Sequence, residues 1–257
     1  MKILNSKILG DSKKDLFILH GFLGMGDNWK THAKIFSENN YRVHLIDLRN
    51  HGKSFWSKEF SFEIMAQDIL NYAKNYKIEK FSLLGHSMGG NLAMLISQKS
   101  QNLIDKMIIV DIVPKYYKPH HNSILESLKT LDFNTIRSRK EAEAHVMGYI
   151  NDHRVIQFLL KNLTWVDSST LGLKLNIDVL CEFQDKLSLI LDENKVFDNP
   201  TLFLYGEDSD YVNSSDITLM KTFFKNIEIH EVPNSGHWLH VDNPTYFLNK
   251  TINFLNN

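Results

Sequence analysis

Short apolar-rich runs alternate along this chain with longer stretches in which apolar positions recur every three or four residues. Residues 16–19, 42–47, 81–84 and 107–110 are runs of the first kind, and 201–205 and 227–232 follow later. Unbroken apolarity, rather than alternation, marks strands buried on both faces. Between them, residues 62–75 place Ile64, Met65, Ile69, Tyr72 and Ala73 along one side of a helix. Strands alternating with helices predict an α/β fold, a mostly parallel sheet flanked by helices.

The alternation stops after Val113, and only helical patterns precede the strand at Thr201. Ser123 is placed to cap a helix bearing Ile124, Leu125, Leu128 and Leu131, and Asp152 another bearing Val155, Ile156, Leu159, Leu160 and Leu163. Residues 176–191 read as a third helix. We therefore expect a core formed by residues 1–114 and 198–257, with 115–197 inserted as a helical lid over the strand ends. No Pro/Gly-rich linker marks an independent second domain.

Charge narrows the function. With 29 Lys and Arg against 30 Asp and Glu, the net charge of −1 lacks the basic excess of a nucleic-acid reader. The single cysteine, Cys181, excludes a disulfide within the chain, suits a reducing compartment and reads as a small apolar filler on a helix. The first residues lack a signal-type apolar run, and no window approaches the ~18 apolar residues of a membrane span. The expectation is a soluble, cytoplasmic protein.

Chemistry concentrates at Gly85-His86-Ser87-Met88-Gly89, a G-x-S-x-G between a strand and a helix pattern. A serine on so sharp a strand-to-helix turn needs strained backbone angles and small neighbours two residues either side, and Gly85 and Gly89 supply them. A hydroxyl is a weak nucleophile and needs a base. Of the 12 histidines, His237 lies in the loop after the last strand run, where reactive groups of an open α/β sheet gather. His86 is expected to pack beside the turn, His20 to order the next loop, and His240 to be an ordinary helix-start residue. The oxyanion donors are assigned to the backbone N–H groups of Met88 and of Phe22, in the loop after the first run. The acid partner stays open at this level: Asp111 ends one strand, and Asp208 and Asp210 follow the next.

Together, His20-Gly21-Phe22-Leu23-Gly24, Asp47-Leu48-Arg49-Asn50-His51-Gly52-Lys53-Ser54, the serine motif, Asp111-Ile112-Val113-Pro114 and Gly236-His237-Trp238 resemble the α/β-hydrolase superfamily. Within it they look most like the small YbfF-type esterases and related abhydrolase-domain proteins. Most members carry the acid three residues after the glycine of the Gly206 turn, where this chain has Ser209. The YbfF-like pattern puts it at the preceding strand end, which implies Asp111. Asp47 and Arg49 are expected to brace the loop beneath the site. The resemblance implies a serine hydrolase acting on acyl esters or acyl-CoA thioesters, with no metal or organic cofactor. Tyr116, Tyr117, Phe158 and Trp165 would be acyl-pocket candidates, and Lys115, Lys118 and Arg137 would meet CoA phosphates. Rival readings on the same fold are a carbon–carbon bond hydrolase, a menaquinone-pathway lyase and a non-catalytic ligand receptor.

Overall fold

The computed structural model describes residues 2–257; Met1, the first residue of the N-terminal stretch read above, lies outside them. Among the described residues nine strands are formed: β1 (Ser6–Leu9), β2 (Asp15–Leu19), β3 (Arg42–Ile46), β4 (Phe81–His86), β5 (Ile104–Val110), β6 (Leu163–Trp165), β7 (Leu171–Leu173), β8 (Thr201–Gly206) and β9 (Ile227–Val232). Seven make one sheet in the order β1-β3-β2-β4-β5-β8-β9. Only the edge strand β1 runs antiparallel to its neighbour; every other pairing is parallel. The helices are α1 (Lys30–Glu38), α2 (Phe62–Asn75), α3 (Met88–Ser100), α4 (Asn122–Lys129), α5 (Arg139–Met147), α6 (His153–Leu160), α7 (Ile177–Phe183), α8 (Ser214–Phe223), α9 (Leu239–Asp242) and α10 (Pro244–Asn256).

The apolar runs explain the layering. Successive residues of a strand point to opposite faces, and here both faces are covered. Phe17, Leu19, Leu83, Met107, Ile109 and Phe203 pack with α2 and α3. Their chain neighbours Leu16, Ile18, Leu84, Ile108, Leu202 and Leu204 pack instead with Trp29, Ala33, Phe36, Phe247 and Leu255 of α1, α10 and the turn before α1. Each such fully buried side chain contributes about 2 kcal/mol of burial energy, so neither layer can be stripped without losing the sheet.

The parallel register also aligns the strands' C-terminal ends along one edge. His20 follows β2, Ser87 follows β4, Asp111 follows β5, and the loops after β8 and β9 open beside them. Arg49 and Asp47 brace this edge from below. The Arg49 guanidinium donates twice to the buried carboxylate of Asp68 and once to the Glu59 carbonyl, while Asp47 accepts from the N–H groups of Gly26 and Lys53.

Between β5 and β8 the chain leaves the sheet and folds over that edge. Asn162 donates to the Leu23 carbonyl (2.9 Å) and the Asn176 N–H to the Asn50 carbonyl (3.0 Å). This insert differs from the expectation in four ways. It contains the antiparallel hairpin β6–β7, whose strands are too short to leave a periodic signature. It contains α5, capped by Ser138, with only Ala142 and Val146 buried among charged neighbours. Helix α4 starts at Asn122 after His121, so Ser123 is inside it and caps nothing. Helix α7 ends at Phe183, far short of 191, and passes into a single 3₁₀ turn, Gln184–Lys186. Asp152 caps α6 as expected, accepting from the N–H groups of Arg154 and Val155. No helix is long and apolar enough to cross a membrane among the described residues.

Candidate active site

Ser87 links β4 to α3 with φ 54° and ψ −120°, a left-handed conformation that a residue with a Cβ adopts only under constraint. Backbone hydrogen bonds supply the constraint: the Ser87 N–H donates to the Val110 carbonyl (3.0 Å), and the Ser87 carbonyl accepts from Gly90 and Asn91. A Cβ on Gly85 would lie against the Gly89 carbonyl, and one on Gly89 against the Leu19 carbonyl. The turn is thus closed only for glycine at both positions. The Ser87 hydroxyl makes no hydrogen bond among the described residues, and it faces a small cavity at the N-terminus of α3.

His237 is carried in the loop after β9. Its Nδ1–H donates to Asp111 Oδ2 at 2.7 Å, and its carbonyl accepts from His86 Nε2–H at 2.9 Å. The Tyr211 ring stacks on the imidazole at 3.8 Å between centroids, 15° from parallel. Asp111 is fully buried just past β5, itself at φ 51°. Its Oδ1 accepts from the Gly206 N–H (2.9 Å), and its Oδ2 also accepts from the Ser209 hydroxyl. Ser209 therefore braces the Asp111 carboxylate from the neighbouring strand end. Asp208 and Asp210 are exposed, and it is Asp111 rather than either of them that hydrogen-bonds His237. With Nδ1 committed to Asp111, Nε2 is the ring nitrogen of His237 left uncommitted among the described residues.

Two further histidines fix the loop after β2. His20 Nε2 accepts from the Leu48 N–H, so its proton is on Nδ1, donated to the Gly21 carbonyl. His51 repeats the pattern, accepting from the Leu23 N–H and donating to the Arg49 carbonyl. Desolvation by burial lowers His20 to about 4 and His51 to about 3, and each holds its neutral tautomer at neutral pH. The loop so held presents Phe22 beside Met88, the first residue of α3, whose N–H has no partner within the helix.

His240 sits in the first turn of α9, the helix-start position expected of it. It is a core residue, 4% exposed, stacked on Trp29 at 4.1 Å, with burial holding it neutral well below the usual histidine range. His86 is lowered in the same way, first by burial. These neutral buried imidazoles set a pH limit on the fold. Unfolded, each takes a proton near pH 6.5; folded, His20 takes one only near 4. The unfolded chain therefore binds more protons between those values, and stability present above pH 6.5 is lost as pH falls. His20 alone puts on the order of 3 kcal/mol at stake, at ~1.4 kcal/mol per pKa unit. Thermal melts are expected to be level above pH 7 and to fall several degrees by pH 5, before ordinary carboxylates titrate. A Tm unchanged down to pH 5 would contradict the neutral cluster.

The remaining candidates separate. Tyr117 lines the cavity, its hydroxyl accepting from the Val113 N–H and donating to the Tyr211 carbonyl. Tyr116 and Trp165 face solvent, and Phe158 packs on Trp238 and does not line the cavity. The Lys115 ammonium is taken up by Asp216, so it is not free to meet a phosphate. Lys118 and Arg137 are exposed, and neither lines the cavity. Cys181 is half-buried on α7, its thiol pushed up by desolvation, in keeping with a filler. Asn91, His121, Leu187 and Tyr211 line the cavity without having been flagged by any motif. Asn91 was within reach of inspection, being one helical turn beyond Ser87; the others come from loops whose approach no spacing encodes.

Residues 16–244 match the model of the α/β hydrolase fold. The chain is 32% identical over 247 residues to the sn-1-specific diacylglycerol lipase ABHD11 of Mus musculus, covering 93% of this chain and 80% of that one. It is 30% identical over 244 residues to Esterase YbfF of Escherichia coli (strain K12), covering 94% and 92%. Among solved structures, one described as a marine microorganism esterase superposes with a TM-score of 0.94 at 35% identity, covering 99% of this chain and all of the other.

Proposed function

The chain belongs to the α/β-hydrolase fold family and is an esterase-type hydrolase, and from that premise we propose a serine carboxylesterase built on Ser87, His237 and Asp111. The observation that carries this reading is the 2.7 Å hydrogen bond from His237 to Asp111, behind a serine held at φ 54°. Ser87 Oγ attacks the ester carbonyl as His237 Nε2 takes its proton. Asp111 holds the imidazole in the tautomer that can do so and stabilises the imidazolium that forms. The N–H groups of Met88 and Phe22 meet the oxyanion, helped by the positive end of α3. His237 then protonates the leaving alkoxide. Water, deprotonated by the same nitrogen, hydrolyses the acyl-enzyme and returns the proton.

The insert over the strand ends acts as the lid in this reading, and the substrate is a small ester. Carboxylesters take precedence over CoA thioesters because Lys115 is neutralised by Asp216. The lone cysteine fits a reducing, cytoplasmic setting.

The test offers the same butyryl and octanoyl groups as p-nitrophenyl esters and as CoA thioesters, with an alkyl fluorophosphonate as a probe of Ser87. Equal or faster turnover of the simple esters and a mass increase on Ser87 are expected. A strong preference for the CoA forms would make the protein a thioesterase. Turnover of vinylogous diketones but of no ester would favour carbon–carbon bond hydrolysis, and an unlabelled Ser87 a receptor.

A further inference from the structure

Resting on that reading of Ser87, we propose that the cavity beside it selects short acyl groups bearing a hydroxyl, with Asn91 and His121 as the residues that recognise the hydroxyl.

The cavity is small, about 30 Å³, room for roughly two waters. Apolar groups of Phe22, Met88, Ile112 and Leu187 form much of its wall, which suits a short carbon chain. A purely hydrocarbon occupant, however, would leave two polar atoms unanswered. Asn91 is fully buried and lies four residues beyond Ser87, on the same side of α3. Its Nδ2 donates to the Leu187 carbonyl at 3.0 Å, which fixes the orientation of the amide, since the opposite flip would set oxygen against oxygen. Oδ1 is thereby committed as an acceptor, and it is buried with no partner.

His121, which also lines the cavity, packs its ring against Phe22 (5.3 Å between centroids) and His120 (4.1 Å). Its Nδ1 is likewise buried without a partner. Burial lowers it to about 4, so the ring is neutral at neutral pH and can carry a proton on Nδ1.

A hydroxyl answers both atoms at once, donating to Asn91 Oδ1 and accepting from His121 Nδ1–H. A methyl group of the same size answers neither and leaves both desolvated. Neither residue is needed for proton transfer by His237, so their contribution is to choice among substrates.

The experiment compares p-nitrophenyl esters of 2- and 3-hydroxybutyrate with those of 2- and 3-methylbutyrate, in which methyl replaces hydroxyl. The better hydroxyacyl ester is expected to exceed its methyl counterpart by at least ~10-fold in kcat/KM. Asn91→Leu should bring that ratio to about 1. His121→Phe, which keeps an aromatic ring against Phe22, should lower it as well and covers the case in which Asn91→Leu does not fold. A wild-type ratio near 1, or a ratio unchanged in both Asn91→Leu and His121→Phe, overturns the inference while turnover of the methyl esters leaves the serine esterase standing. No turnover of any of the four esters overturns both.

Discussion

Ser87→Ala is expected to lower kcat for every ester substrate by at least ~10⁴-fold, leaving only what substrate binding and the oxyanion donors supply. The substitution isolates the hydroxyl unusually well here. Alanine and serine pay the same cost at φ 54°, because both carry a Cβ in a conformation where only glycine is relaxed. The hydroxyl makes no hydrogen bond that the folded protein would miss, and the turn is held by the backbone bonds to Val110, Gly90 and Asn91. The melting temperature should therefore stay within a few degrees of the wild type, and fluorophosphonate labelling should vanish with activity. Steady-state rates on a p-nitrophenyl ester check the outcome, and turnover within tenfold of the wild type would remove Ser87 from the chemistry.

Particular residues show how far the sequence carried and where it ran out. Five of the six parallel strands were legible because they are buried on both faces, so Leu16–Leu19 or Met107–Val110 had to be apolar throughout, whereas the edge strand β9 is only partly buried. β1 escaped notice: Ser6–Leu9 pairs on one side only, and its residues are all partly or wholly exposed. The insert was legible as an interruption but not in its parts, since three-residue strands carry no period and α5 buries only two of its side chains. At the site, Gly85, Ser87 and Gly89 announced themselves because the turn's geometry admits so few residues. The partner of His237 did not, for a topological reason. β5 and β8 are adjacent in the sheet, so Asp111, Asp208 and Asp210 all belong to neighbouring strand ends. Only distance tells them apart, and distance is a property of the fold. His240 was legible as a helix-start residue but not in its burial: three residues from His237 in the chain, it turns back into the core against Trp29.

That topological ambiguity makes the second large prediction decisive. Asp111→Asn should lower kcat by ~10⁴-fold, whereas Asp208→Asn and Asp210→Asn, on the exposed turn, should change it by no more than ~3-fold. Asparagine tolerates the left-handed backbone at position 111 better than other substitutes, so the strand end should keep its shape. Its amide is then oriented by the protein. The Gly206 N–H requires an acceptor where Oδ1 now sits, which turns Nδ2 toward His237. An N–H donor facing Nδ1 forces the imidazole to accept there and to carry its proton on Nε2, the tautomer that cannot take a proton from Ser87. The Ser209 hydroxyl, which now donates to the carboxylate, can rotate to suit the amide, so the loss should fall on kcat rather than on stability. Wild-type turnover in Asp111→Asn together with a large loss in Asp208→Asn or Asp210→Asn would transfer the acid to the β8 turn. It would also mean that the loop carrying His237 moves when substrate binds.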